Sequence, residues 1–128
     1  MNIKEYLNRI NYEGEIKLNI EVLKELQKCH LLNVPFENLD IHYNRTIQLD
    51  IGKFYNKIVI DRRGGFCYEL NTLFQNLLHQ IGFKKIISAR VYDHKKGSFG
   101  EEYDHLAIVV DLNQRAYLVD VGFGEFAF

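Results

Sequence analysis

The clearest structural signal in the chain is the stretch RGGFCYELNTLFQNLLHQIG at residues 63–82. Its apolar residues recur at spacings of three and four, which is the period of an amphipathic α-helix. We therefore predict a helix that has Cys67 in its first turn and ends at Gly82, because glycine commonly terminates helices. The residues of the apolar face are Leu70, Leu73, Phe74, Leu77, Leu78 and Ile81.

An earlier helix is predicted to follow Asn19, which can act as its N-cap. Val22, Leu26 and Cys29 share one face at helical spacing, and polar residues fill the opposite face. This is the pattern of a surface helix packed on a core. Cys29 is interpreted as a small apolar core residue, and His30 next to it as a residue at the core boundary.

The segment 34–39, Val-Pro-Phe-Glu-Asn-Leu, contains the only proline of the chain. Proline lacks a backbone N–H and restricts the residue before it, so a turn is predicted here. A further helix is predicted to begin at Asp50 and to run through Phe54 and Ile58. It should end before the glycines that precede Cys67.

The helical spacing of apolar residues is lost from Lys84 onward. Three short runs rich in β-branched and aromatic residues follow, at 86–92, 106–110 and 117–121, and turn-forming residues separate them. These runs predict antiparallel strands. The chain is therefore expected to be an α+β protein, with a helical block first and a sheet after it.

Composition excludes several classes of function. The 128 residues include 16 lysines and arginines against 17 acidic residues, so no global field favours nucleic acid or anionic membranes. No run approaches the roughly 18 apolar residues of a membrane span, and the start does not resemble a signal peptide, so a cytoplasmic location is expected. Cys29 and Cys67 are the only cysteines, and their spacing predicts neither a disulfide framework nor a metal site.

Cys67 is the candidate nucleophile. A thiol at a helix N-terminus lies near unpaired backbone N–H groups and the positive end of the helix dipole, and Arg62 and Arg63 add positive charge. These influences favour the nucleophilic thiolate. Gly64 and Gly65 allow a sharp turn and close approach of a substrate, and the Cys67 N–H could donate to an oxyanion. The alternative is a tight turn followed by a buried structural cysteine.

His105 and Asp120 are the candidate base and its orienting partner. His105 comes just before the second predicted strand, and Asp120 lies in the third. If residues 111–114 form the hairpin turn, the two side chains lie opposite each other across the ladder. His79 lies off the apolar helix face and is expected to be solvated, and His94 lies in a loop, so neither has a partner implied by spacing.

Several motifs occur in an order that indicates a family resemblance. Arg-Gly-Gly-Phe-Cys at 63–67, His105 downstream, and Val-Asp-Val-Gly-Phe-Gly at 119–124 resemble signatures of the arylamine N-acetyltransferases. The segment 34–39 resembles a fourth segment of that family. The resemblance runs across nearly the whole chain, which makes it more specific than any single motif.

The resemblance implies transfer of an acetyl group from acetyl coenzyme A to an arylamine, hydrazine or similar amine, with no permanently bound cofactor. The triad would be Cys67, His105 and Asp120, in a cysteine-protease-like core. A helical domain would span 1–82, a partial β-barrel domain would span 83–128, and a third, lid-forming α/β domain is expected to be missing. The residues implied to contact substrate or coenzyme A are Phe36, Phe66, Gly122, Phe123 and Gly124, and those that support the site are Glu37, Arg63, Gly64 and Gly65.

Two alternative functions stay open. Papain-like and transglutaminase-like enzymes share the order Cys, His, Asp or Asn, so hydrolysis or transamidation is one alternative. The expected loss of the third domain makes a non-catalytic or inactive remnant the other. Two structural expectations follow as well: Glu37 and Arg63 form an ion pair that holds the turn at Pro35, and the open barrel edge near 123–128 leads to self-association.

Overall fold

The computed structural model describes residues 1–88, 92–93, 95–99 and 104–123. Helices come first along the chain and strands follow, so the predicted α+β class is confirmed. The helices are α1 (Ile3–Arg9), α2 (Ile20–Asn33), α3 (Leu39–His42), α4 (Ile51–Tyr55) and α5 (Cys67–Gln80), with a π-helical turn at Asn56–Ile60. The strands are β1 (Lys84–Ser88), β2 (Tyr92–Asp93), β3 (Ser98–Phe99), β4 (Ala107–Leu112) and β5 (Arg115–Val119).

The two helix starts predicted at Asn19 and Asp50 are confirmed, and both residues are N-caps. The Asn19 side chain accepts a hydrogen bond from the Val22 N–H at 2.9 Å, and the Asp50 side chain accepts one from the Lys53 N–H at 2.8 Å. These side chains satisfy backbone donors that a helix start leaves unpaired. The helix predicted from Asp50 through Ile58 is not uniform, because its second half is the π-helical turn.

The core forms around α5, as the spacing of its apolar residues predicts. Fully burying such a side chain contributes roughly 1.5–3 kcal/mol relative to leaving it in water. The helix stops where expected, since Gly82 follows it with a φ of +105°, a conformation that glycine adopts without strain. The residues of this face with no exposed surface are Leu70, Leu73, Phe74, Leu77 and Leu78.

The buried face of α2 differs from the predicted one. The structure buries Leu23, Leu26 and His30, whereas Val22 and Cys29 pack against the core while partly exposed. The prediction that His30 lies at the core boundary is wrong, because its side chain is 0% exposed. One residue corresponds to about 100° around a helix. A face displaced by one position therefore turns His30 inward and leaves Cys29 at the edge of the core.

The three-stranded antiparallel sheet has the order β1-β4-β5. β4 and β5 are joined by a two-residue turn at Asn113 and Gln114, whose φ angles are +51° and +64°. Two left-handed residues make a tight hairpin whose twist matches that of the strands. The predicted four-residue turn at 111–114 is therefore wrong. The register differs from the predicted one by two residues, with Ile108 opposite Val119.

The sheet brings two chain segments to one place. β4 begins beside the point where β5 ends, because the strands are antiparallel, and α5 packs against β1 and β4. β2 and β3 form a separate two-stranded sheet.

The barrel and the two-domain division predicted for 1–82 and 83–128 stay predictions. Among the described residues, no helix is long and apolar enough to cross a membrane.

Candidate active site

Cys67 is the first residue of α5, and Phe66 is the residue that precedes the helix. The Glu69 carboxylate accepts a hydrogen bond from the Phe66 N–H at 3.1 Å, which satisfies one of the donors at the helix start. The half-buried thiol of Cys67 thus lies at the end of α5 where the helix dipole is positive and where backbone N–H groups are available. Such a position suits an anionic nucleophile.

The loop before Cys67 is held against the turn at Pro35. The Glu37 N–H donates to the Gly65 carbonyl at 2.9 Å, and the Gly65 N–H donates to the Pro35 carbonyl at 3.3 Å. A side chain would not fit at Gly64, because a Cβ atom there would lie 2.0 Å from the Pro35 carbonyl oxygen. The glycine therefore permits a close approach of two backbone segments. Phe36, in the same turn, is 56% exposed.

The structure brings Cys67, His105 and Asp120 together. His105 lies just before β4 and Asp120 just after β5. His105 Nε2 is 2.6 Å from Asp120 Oδ2, and the Cys67 side chain is close enough to the His105 ring to raise its pKa. The contact expected between His105 and Asp120 is present, although the predicted register is not. His79 is exposed, as predicted, and His94 lies outside the described residues.

Electrostatics favour an ion pair between His105 and Asp120. Burial alone lowers the pKa of His105, but the hydrogen bonds and charges of Asp120 and Cys67 outweigh it and raise this pKa to about 9. Burial raises the pKa of Asp120, but hydrogen bonds from His105, Asn71 and the Gly122 N–H outweigh burial and lower it. His105 is therefore protonated and Asp120 ionised at neutral pH, and a protonated ring is the partner that a thiolate needs.

Asn71 is a site residue that the sequence prediction missed. Its side-chain Nδ2 donates to Asp120 Oδ1 at 2.9 Å and to the Leu106 carbonyl at 2.6 Å. Its Oδ1 accepts from the Val121 N–H at 3.0 Å. The one signal in the sequence was a polar residue next to an apolar helix face, four positions after Cys67.

Gly122 and Phe123 border the group formed by Cys67, His105 and Asp120. A Cβ atom at Gly122 would lie 2.8 Å from Cys67 Cα and 3.0 Å from Asn71 Nδ2, so the backbone after Asp120 packs directly on the start of α5. The ring of Phe123 meets the ring of His105 edge to face, with 4.9 Å between their centroids. The other predicted contact residues are Phe36 and Phe66, which are partly or largely exposed, and Gly124, which lies outside the described residues.

A cluster of charged side chains supports the loop before Cys67. Arg63 Nη2 is 2.8 Å from Glu37 Oε1, so the ion pair predicted between them is present. The sequence prediction missed Lys57, whose Nζ lies 2.7 Å from Glu69, 3.0 Å from Asp40 and 3.3 Å from Glu37. The cluster thus links the Pro35 turn, α3, the π-helical turn and α5. Its carboxylates are at most 14% exposed, so they depend on these cations for their charge balance.

Comparison with known proteins identifies the family. A family model described as N-acetyltransferase matches residues 19–127. The chain is 42% identical over 126 residues to the arylamine N-acetyltransferase pineal gland isozyme NAT-3 of Gallus gallus, covering 97% of this chain and 43% of that protein. It is 37% identical over 123 residues to the arylamine N-acetyltransferase of Escherichia coli strain K12, covering 95% and 43%. The chain therefore belongs to the arylamine N-acetyltransferase family, and it spans less than half the length of these relatives.

Solved structures of arylamine N-acetyltransferases have the same fold over this length. The Mycobacterium abscessus protein matches with a TM-score of 0.88 at 33% identity, covering 97% of this chain and 43% of that one. The Salmonella typhimurium protein matches with a TM-score of 0.87 at 33% identity, covering 96% and 45%. The Bacillus cereus protein, at a TM-score of 0.83 and 29% identity, covering 97% and 50%, has a Cys-His-Glu triad.

Proposed function

We propose that this chain transfers an acetyl group from acetyl coenzyme A to an arylamine, hydrazine or similar amine through an acetyl-cysteine intermediate. Cys67 is the nucleophile, His105 is the base and acid, and Asp120 orients the histidine ring. The observation that carries the proposal is that Cys67, at the N-terminus of α5, lies next to a His105 ring that is hydrogen-bonded to Asp120. Membership of the family supports the reaction class. Asp120 then takes the place of the glutamate in the Bacillus cereus triad.

In the first half-reaction, Cys67 Sγ attacks the carbonyl carbon of the acetyl thioester. A carbon–sulfur bond forms, the carbonyl π electrons move onto the oxygen, and backbone N–H groups at the start of α5 stabilise the oxyanion. When the intermediate collapses, the bond from carbon to the coenzyme A sulfur breaks. The proton on His105 passes to that leaving sulfur. One thioester replaces another, so the step is close to balanced in free energy.

In the second half-reaction, the amine nitrogen attacks the carbonyl carbon of acetyl-Cys67. His105 is now neutral and takes a proton from the attacking nitrogen. The bond between the carbonyl carbon and Cys67 Sγ breaks, which releases the amide and restores a thiolate beside a protonated histidine. Asp120 accepts a hydrogen bond from His105 Nε2 throughout, which fixes the tautomer of the neutral ring and stabilises its charged form.

The residues that border this triad are proposed to contact the substrates. The rings of Phe123 and His105 meet edge to face. Gly122 packs on the start of α5 and, having no side chain, does not cover Cys67. Supporting roles are proposed for the residues of the loop before Cys67 and its ion pair. The proposed contact residues are Phe36, Phe66, Gly122, Phe123 and Gly124, and the supporting residues are Glu37, Arg63, Gly64 and Gly65. Cytoplasmic location and self-association stay predictions.

Incubation with acetyl coenzyme A, followed by intact mass and peptide mapping, tests the proposal. We expect one added acetyl group, on Cys67, and its removal when an arylamine is supplied. Cys67→Ser should lose the modification, and Cys29→Ser should keep it. A folded chain that acquires no acetyl group on Cys67 would contradict the transferase and favour the inactive remnant. An acetyl-enzyme that decays at the same rate with and without amine would favour the hydrolase.

A further inference from the structure

Asn71 is a neutral polar residue buried in the part of α5 that faces the sheet, and its side chain has no exposed surface. It lies four residues after Cys67, so the two side chains emerge from the same face of the helix, one turn apart. Burying an amide costs free energy unless its donors and its acceptor are paired. An apolar residue would suit the core at this position better, so the contacts of the amide decide its role.

The amide is paired on every side, and all its partners belong to the two segments that carry His105 and Asp120. It donates to the carbonyl of Leu106, the residue after His105, and to the Asp120 carboxylate. It accepts from the N–H of Val121, the residue after Asp120. One side chain of the helix that begins with Cys67 therefore holds both strand segments at once.

We propose that Asn71 is a positioning residue for the triad, a role that rests on the function proposed above. Asp120 Oδ1 accepts from Asn71 Nδ2 at 2.9 Å and from the Gly122 N–H at 2.8 Å. These two donors occupy one carboxylate oxygen and leave Oδ2 directed at His105 Nε2. Rotation of the carboxylate away from His105 would break both bonds. Asn71 thereby holds the imidazole where it can pair with Cys67.

The chemistry of the side chain fits this role. An amide presents two donor hydrogens and an acceptor oxygen without charge. An aspartate at position 71 would keep the acceptor for the Val121 N–H, but when ionised it could donate neither to Leu106 nor to Asp120. It would also place a second carboxylate against the first, which disfavours ionisation of both. Asparagine therefore holds Asp120 without placing a second carboxylate against it.

The pH dependence of alkylation tests the inference without relying on acetyl transfer. The rate of Cys67 modification by iodoacetamide is measured from pH 5 to 10 in the full chain and in Asn71→Ala, Asn71→Asp and Asn76→Ala. In both Asn71 variants we expect reaction at pH 6 to be about tenfold slower than in the parent, because His105 is no longer held beside the thiol. At pH 10 the rates should converge with that of the parent, because a thiolate then forms without the protonated ring.

Asn76→Ala is the matched control, because Asn76 lies on the same helix with its side chain bonded only to Gln80 in the described contacts. A profile for Asn71→Asp equal to that of the parent would overturn the inference, and so would an equal shift in Asn76→Ala. A rate lowered equally at every pH would assign Asn71 to folding instead. If the parent itself shows no preferential reaction at Cys67, the proposed function fails independently of Asn71.

A measurement on the unaltered chain covers the case in which the variants do not fold. The side-chain NH₂ resonances of Asn71 in a ¹⁵N spectrum should shift as His105 titrates near pH 9, because Asp120 is bonded to both. They should also shift when Cys67 is alkylated. Resonances that stay constant through both changes would show that Asn71 is not coupled to the triad.

Discussion

The chain contains two cysteine–histidine pairs, and they behave in opposite ways. Cys29 and His30 are neighbours in sequence, but on α2 their side chains leave about 100° apart. The Cys29 thiol faces Glu25 Oε1 at 3.7 Å. Cys67 and His105 are 38 positions apart in the sequence, and in the structure the Cys67 side chain is close enough to the His105 ring to raise its pKa. Adjacency in sequence therefore does not make two side chains meet, whereas the packing of α5 against β4 brings Cys67 and His105 together.

The surroundings shift the pKa values of His30 and His105 in opposite directions. His30 lies against the rings of Tyr6 and Phe74 at centroid distances of 5.9 and 5.3 Å, and neither of its ring nitrogens has a hydrogen-bond partner among the described residues. Burial, and then the charge of Arg9, lower its pKa to about 3. The pKa of His105 is raised to about 9 despite burial. A carboxylate and a thiol in contact with the ring make the difference.

The largest effect is expected from removing the histidine of the second pair. His105→Gln should slow acetylation of Cys67 at pH 7 by about 10²–10⁴-fold, because it removes the proton acceptor and donor. His30→Phe should leave this rate close to that of the parent, since His30 contacts no triad residue in the described structure. Stopped-flow or quenched mass measurements give both rates. Equal losses of acetylation rate in the two variants would contradict the claim that His105, and not His30, acts on Cys67.

The second prediction compares a largely buried lysine near Cys67 with an exposed lysine near Cys29. Lys57, whose side chain is 11% exposed, contacts three carboxylates behind the loop before Cys67. Lys57→Met should lower the free energy of unfolding by about 3 kcal/mol, because it leaves buried carboxylates short of a cation. Lys28→Met on α2 should change it by less than about 0.5 kcal/mol, since Lys28 and Glu25 are 3.9 Å apart and more than half-exposed.

Urea unfolding of both lysine variants gives the comparison. The Lys57 variant is informative even if it is only marginally folded, because the midpoint can be followed in added osmolyte. A Lys57→Met chain as stable as the Lys28→Met chain would show that the ion pairs of Lys57 add nothing to the free energy of unfolding.

The third prediction concerns acid stability and the first pair. In the folded chain the pKa of His30 lies at about 3, below its value of about 6.5 in an unfolded chain. The neutral ring is therefore favoured by folding, and its contribution is complete above pH 6.5 and is lost as the pH falls towards 3. Between pH 7 and 4.5 this loss amounts to about 2–3 kcal/mol.

His30→Phe should remove that loss, so its free energy of unfolding should fall less steeply than that of the parent between pH 7 and 4.5. Carboxylates contribute to both slopes and cancel in the difference. Urea titrations at the two pH values measure it. Parallel slopes would mean that His30 is hydrated or charged in the folded chain, which would weaken the contrast with His105.

Local signals in the sequence predicted local structure. The spacing of apolar residues predicted α5, and Asn19 and Asp50 predicted two helix starts, because each signal involves residues within about one turn of each other. The face of α2 was assigned one position away from the true one, because Val22 and Leu23 both fit a helical stripe that includes Leu26. Only packing against α5 and α1 decides which of the two faces is buried.

Long-range contacts were predicted only in part. The approach of His105 to Asp120 followed from the hairpin, and it survived a register error of two residues because side chains near strand ends also reach diagonal neighbours. Asn71 and Lys57 carry no local signal that assigns their partners. Their partners lie 12 or more positions away and meet them only in the folded chain.

The most direct test of the account is competition between the two cysteines. The native chain is treated with limiting iodoacetamide at pH 6, and each cysteine peptide is quantified by mass, with a sample in denaturant as the control for intrinsic reactivity. Burial, and then the charge and hydrogen bond of Glu25, raise the pKa of Cys29, whereas Cys67 lies next to His105, whose pKa is raised to about 9. We expect the label almost entirely on Cys67 in the native chain and on both in denaturant. Equal labelling in the native chain would contradict the claim that Cys67, His105 and Asp120 form an activated nucleophile.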